Sequence, residues 1–168
     1  MAEIHLQFTP DQLIEAVLQK YRDLTVDRVA IFESFPIQSH MRLLFQMDAS
    51  RGHIETLWLG LQEALAPWSP ALVFLRSEDP ARAILSAAEL RGPQWTEYIV
   101  NALEKSPVAT ANGWTGLSGV AEIFKAYGEL VDELVERWRF PKLILPAKPE
   151  SYAQRDTDCF AWALGALT

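Results

Sequence analysis

Three short apolar runs constrain this chain most: Arg28-Val-Ala-Ile-Phe32, Ala71-Leu-Val-Phe-Leu75 and Lys142-Leu-Ile-Leu145. A strand with one wet face alternates apolar and polar residues, whereas continuous runs fit strands covered on both faces, as in a parallel sheet. The first run ends at Glu33-Ser34-Phe35-Pro36, where the chain must turn. The second follows Pro67 and Pro70 and leads into Ser77-Glu-Asp-Pro80, a helix start, and the third lies between Pro141 and Pro146. Helical spacing fills the intervals. Thr9 and Gln12 form a capping-box pattern, Pro10 suits the first helical position, and Leu13, Ile14, Val17, Leu18 and Tyr21 share one face, which predicts a helix over about 10–24. Further helices are expected near 38–48, 50–66, 80–89, 94–104, 117–138 and 154–166. The 117–138 segment is the strongest, with Val120, Ile123, Phe124, Tyr127, Leu130, Val131, Leu134, Val135 and Trp138 at helical intervals. Residues 109–116 read as a loop because of their small residues and glycines. Together these signals predict an α/β fold, a parallel sheet of about three to five strands flanked by helices, in one domain over residues 1–168.

Charge and composition narrow the function classes. Fifteen Lys plus Arg against 22 Asp plus Glu give a net charge of -7, which repels phosphate backbones and anionic lipid, so neither nucleic acid nor a membrane surface is an expected partner. Cys159 is the only cysteine, which excludes an intrachain disulfide. His5, His40 and His53 are scattered without zinc-ligand spacing or a triad arrangement, so no metal site is expected. No apolar stretch approaches the ~20 residues that span a bilayer, and the N-terminus lacks an export pattern, so a cytoplasmic setting is expected.

The order of parts, from the first run through Glu33-Ser-Phe-Pro-Ile-Gln38 and Pro70-Ala-Leu-Val-Phe-Leu75 to Leu90-Arg-Gly-Pro-Gln-Trp95, resembles P-loop kinases of the nucleoside and nucleotide kinase type over roughly residues 26–146. The resemblance implies a P-loop NTPase-like remnant with a lid region at 80–116. In such kinases a carboxylate after an inner strand activates the acceptor or supports magnesium, and lid arginines stabilise the transferring phosphates. Glu33 matches the first role, while Arg82 and Arg91 fall where the lid would be. The departure is that no G-x-x-x-x-G-K-[ST] run exists; Gly113-Trp-Thr-Gly-Leu-Ser-Gly119 lacks the lysine and a preceding strand. The family's central first strand is also missing, unless Ile4-His-Leu-Gln-Phe8 replaces it. No cofactor is therefore expected, with ATP and magnesium bound only if the phosphate site is completed elsewhere.

Each candidate has a plainer alternative. Glu33 is the candidate base and Arg91 the candidate charge stabiliser; otherwise Glu33 caps the following turn and Arg91 closes its helix before Gly92. Arg76, Arg82, Trp95 and Trp114 are candidate contacts for a small anionic ligand, although Arg76 could equally pair with Glu78 or Asp79. Trp58, Trp138 and Trp162 fall on apolar helix faces and read as core, and Cys159 as a buried inert thiol. Two functions follow: a degenerate or truncated kinase-like domain, or a non-enzymatic binding or assembly module on the same scaffold. The absent central strand predicts a homodimer, since an uncovered edge favours association.

Overall fold

Residue Thr9 begins the fold as its sequence dictates: in the computed structural model, which describes residues 8–27, 29–34, 36–148 and 150–166, its hydroxyl accepts from the Gln12 amide at 3.3 Å while Gln12 Oε1 accepts from the Thr9 amide at 2.9 Å. Helix α1 (Pro10–Arg22) then buries Ile14, Val17, Leu18 and Tyr21. A π-helical turn (Ile37–Met41) and the short α2 (Arg42–Gln46) lead to α3 (Arg51–Leu65), capped by Ser50. Helices α1 and α3 lie side by side and run the same way, because Asp11 stands beside His53 and Leu18 beside Gly60. Gly60 permits this approach: a Cβ there would meet Leu18 Cδ1 at 2.7 Å.

Strand β1 (Leu72–Arg76) follows, then α4 (Pro80–Arg91), α5 (Pro93–Leu103), α6 (Pro107–Asn112) and the long α7 (Gly116–Glu136), before strand β2 (Lys142–Pro146) and α8 (Tyr152–Ala166). Two apolar cores result. The first gathers α1, α3, the π-helical turn, the inner face of the sheet and the second half of α7; the second joins α4, α5, α6 and the first half of α7. Helix α7 is the spine common to both, giving Val120 and Ile123 to one core and Tyr127, Val131, Leu134 and Val135 to the other. The Tyr127 hydroxyl donates to the Ile37 carbonyl, tying the spine to the π-helical turn, and burial pushes its pKa well up. Buried Gln62 donates to the Trp58 carbonyl at 3.3 Å and accepts from the Arg139 amide at 2.8 Å, fixing the turn that delivers β2.

The expected parallel sheet of about three to five strands flanked by helices is corrected here: among the described residues 68% are helical and 6% in strands, and the sheet they form is a single parallel pair. Leu72 stands opposite Lys142, Val73 opposite Leu143 and Leu75 opposite Leu145. The first apolar run is not a strand over its described residues. Val29, Ile31 and Phe32 have no regular structure and are 59%, 92% and 43% exposed; Arg28 lies outside the described residues. Strand preference expresses packing against neighbouring strands and covering faces, and with neither supplied the run cannot hold a ladder. Ile4–Gln7 of the suggested replacement strand also lie outside the described residues. The expected loop at 109–116 is corrected too: Ser106 Oγ accepts from the Ala109 amide, Pro107 takes the first helical position and Gly113 closes α6 in the left-handed region at φ 67.

Candidate functional site

A cleft of about 530 Å³ opens where β1 ends. The chain turns through Ser77 and Glu78 to Asp79, whose carboxylate caps α4 by accepting from the Arg82 amide at 2.8 Å. Pro80 rests on Gly128 of α7, where a Cβ would meet its Cγ at 2.6 Å, and both residues line the cleft. Glu78, Asp79, Glu122, Glu129 and Asp132 line this space with Lys125. The wall is therefore strongly anionic and repels phosphate.

Arg76 does not relieve that charge for a ligand. Its Nε donates to Asp132 Oδ1 at 2.9 Å and its Nη2 to Glu136 Oε1 at 2.9 Å, clamping the end of β1 to α7. The Arg76 hydrogen bond, then the Lys142 charge, hold the Glu136 carboxyl below its ordinary pKa. A carboxylate so depressed contributes stability above its unfolded pKa and loses it as pH falls through the folded value. Both partners are too exposed for a large contribution. Following the Glu136 side chain by NMR during acid titration should show a low midpoint that returns toward the ordinary carboxylate range in Arg76→Gln; an unchanged midpoint in that variant contradicts the clamp.

The other expected site residues lie apart from this cleft's walls. Glu33 is exposed in a bend beside Ser34, whose φ is 61, and among the described residues no hydrogen bond or ion pair joins it to Arg76, Arg82 or Arg91. Arg82 is exposed on α4. Arg91 ends α4 with its guanidinium 5.0 Å from the centre of the Trp95 ring, a cation–π contact. Trp95 and Trp114 are half-buried against the second core. Thus Arg91 and Trp95 come together, Trp114 packs on the same core as Trp95, and Glu33 and Arg76 belong to other surroundings. Trp58 and Trp138 are buried as expected, while Trp162 and Cys159 are only half-buried.

One arrangement went unread in the sequence. Ser50 Oγ lies 2.9 Å from His53 Nδ1, and His53 Nε2 lies 3.3 Å from Asp11 Oδ1. In the neutral ring, with Asp11 a carboxylate that only accepts, Nε2 carries the proton and Nδ1 accepts from the Ser50 hydroxyl. Ser50 Oγ also accepts from the His53 amide at 3.3 Å, and Asp11 is 85% exposed, so the trio is a clasp between two helix starts. The Ser50-x-x-His53 spacing was the available signal.

Among the described residues no group of three or more His, Cys, Asp or Glu is disposed to hold a metal ion, and no helix is long and apolar enough to cross a membrane. Comparison of the chain with family models, curated proteins and solved structures gives no match.

Proposed function

We propose that the chain is a non-enzymatic binding and assembly module that docks a second copy of itself on apolar surface its own fold leaves uncovered. Helix α8 carries this reading: none of its 15 residues is buried, and Phe160 and Leu164 are 67% and 53% exposed. It lies against β2, and its Ser151–Asp158 end shares a recess with Leu145 and Pro146. Leu72, Phe74 and Ile144 face the first core, so the other face of the sheet carries Val73, Leu75, Leu143 and Leu145. There β2 is half-buried, while Val73 and Leu75 of β1 are 37% and 45% exposed. Exposed aliphatic and aromatic side chains on a sheet face and on the adjoining helix are the composition of an interface centre.

Replacing Phe160 and Leu164 together by Glu should convert a dimer to a monomer in sedimentation analysis, with the melting temperature unchanged at nanomolar concentration, where the parent is dissociated, since neither side chain is part of a core. A variant that sediments like the parent removes α8 from the docking surface.

A second, kinase-like reading is favoured by one feature, the Arg91 guanidinium held over Trp95 within the region the resemblance gives to a lid. The anionic cleft at the end of β1 and the absence of a glycine-rich amide cradle with its lysine weigh against it. Calorimetric titration with magnesium ATP is expected to give no saturable heat. Sub-millimolar, magnesium-dependent binding that is weakened in Arg91→Ala decides for the kinase-like reading instead.

A further inference from the structure

Building on the assembly reading, we infer that the two copies are joined by strand exchange, with Val29–Phe32 of each protomer pairing with the free edge of β1 in the other. Acceptor and donor are both present in the chain. Among the described residues β1 has one neighbour, β2, so its opposite edge presents backbone N–H and C=O groups to whatever adds there. A two-stranded sheet is marginal in water and gains most from a third strand. Val29-Ala-Ile-Phe32 is the segment of matching chemistry. It is rich in β-branched and aromatic residues, it is not helical, and Val29, Ala30 and Ile31 make no backbone–backbone hydrogen bond among the described residues.

Side-chain periodicity fits the same pairing. In an extended segment Val29 and Ile31 point to one side, as Val73 and Leu75 do on β1. Added to the β1 edge in that phase, they extend the outer apolar row of Val73, Leu75, Leu143 and Leu145. Neither Val29–Phe32 nor Leu72–Leu75 carries a charge, so no ion loses its water when they meet. Ile31, at 92% exposure, has the most apolar area to gain. The segment has a fixed root, because the Phe32 ring stands edge-on to buried Tyr21 with centroids 6.1 Å apart. A twofold axis makes the exchange reciprocal and closed, so it ends at a dimer.

The test combines hydrogen exchange with sedimentation on the full chain. From nanomolar to high micromolar concentration, amide protection should rise together at 29–32 and 72–76, and Ile31→Lys should raise the dimer dissociation constant by at least about tenfold, since two buried isoleucines are lost per dimer. Ile31 is too exposed for this change to unfold the monomer, and an unchanged melting curve at nanomolar concentration verifies that. If Ile31→Lys dimerises like the parent while the Phe160→Glu, Leu164→Glu variant does not, docking occurs through α8 alone: the exchange is overturned and the assembly reading stands. A parent chain that is monomeric throughout overturns both, and open-ended oligomers overturn the closed exchange.

Discussion

Trp58→Ala is expected to cost about 3–5 kcal/mol, the range for removing a large aromatic from a core. Trp58 is fully buried in α3, and its ring lies 5.2 Å from that of Trp138, which in turn meets Phe140 at 5.5 Å. These three rings join α3 to the end of α7 and to the turn that delivers β2, so the loss falls where the sheet is attached. Folding free energies of small domains are about 5–15 kcal/mol, so such a loss is a large fraction of the whole. Trp58→Phe should be much milder. Among the described residues the Trp58 indole N–H is buried without a partner, and phenylalanine removes that unsatisfied donor while keeping most of the apolar volume. Urea denaturation of both variants tests the pair of expectations; equal midpoints contradict the ring cluster as a structural joint.

Gly119→Ala is expected to destabilise by about 1–3 kcal/mol, the reverse of what helix propensity alone gives. Inside a helix alanine is ordinarily better than glycine by up to about 1 kcal/mol. At Gly119, however, a Cβ would stand 2.5 Å from the carbonyl carbon of Trp114 and 3.1 Å from its Cα, and main-chain atoms cannot swing aside as a side-chain tip can. The first turn of α7 would have to move from the segment that leaves α6, loosening Val120 and Ala121 in the second core. Gly52→Ala supplies the opposite case: its Cβ would meet only Ser50 Oγ at 3.7 Å, so α3 should gain a few tenths of a kcal/mol. Thermal melting that shows both substitutions shifting stability the same way contradicts the close approach at Gly119.

Local rules were legible in the sequence wherever a helix could be read from its own residues. The Thr9–Gln12 box, the Pro10 start and the apolar stripe of α7 appear in the structure because they depend on neighbours three and four positions away. The strands were harder. The expected runs at 71–75 and 142–145 do form strands, shifted or lengthened by one residue, yet Val29–Phe32 has the same local character and no ladder, since a strand exists only in relation to another. Helix α6 is hidden in the sequence because Gly113 stands among several loop-forming glycines, whereas it is the stop of a helix started by Ser106 and Pro107. At the candidate site, Arg91 and Trp95 meet because a turn separates them by four residues. The Arg76 clamp links positions 56 and 60 residues apart, and no local pattern marks such a pairing. Ser50, His53 and Asp11 divide the same way: the first two form a legible helix start, and the third is brought in only by the packing of α1 on α3.

The claim that this chain is an assembly module is tested most directly by its mass in solution. Light scattering on the unmodified full chain, over a dilution series from high to low micromolar concentration, should give twice the 19.0 kDa of one chain at the upper end and fall toward 19.0 kDa on dilution. A mass of 19.0 kDa at every concentration contradicts the account.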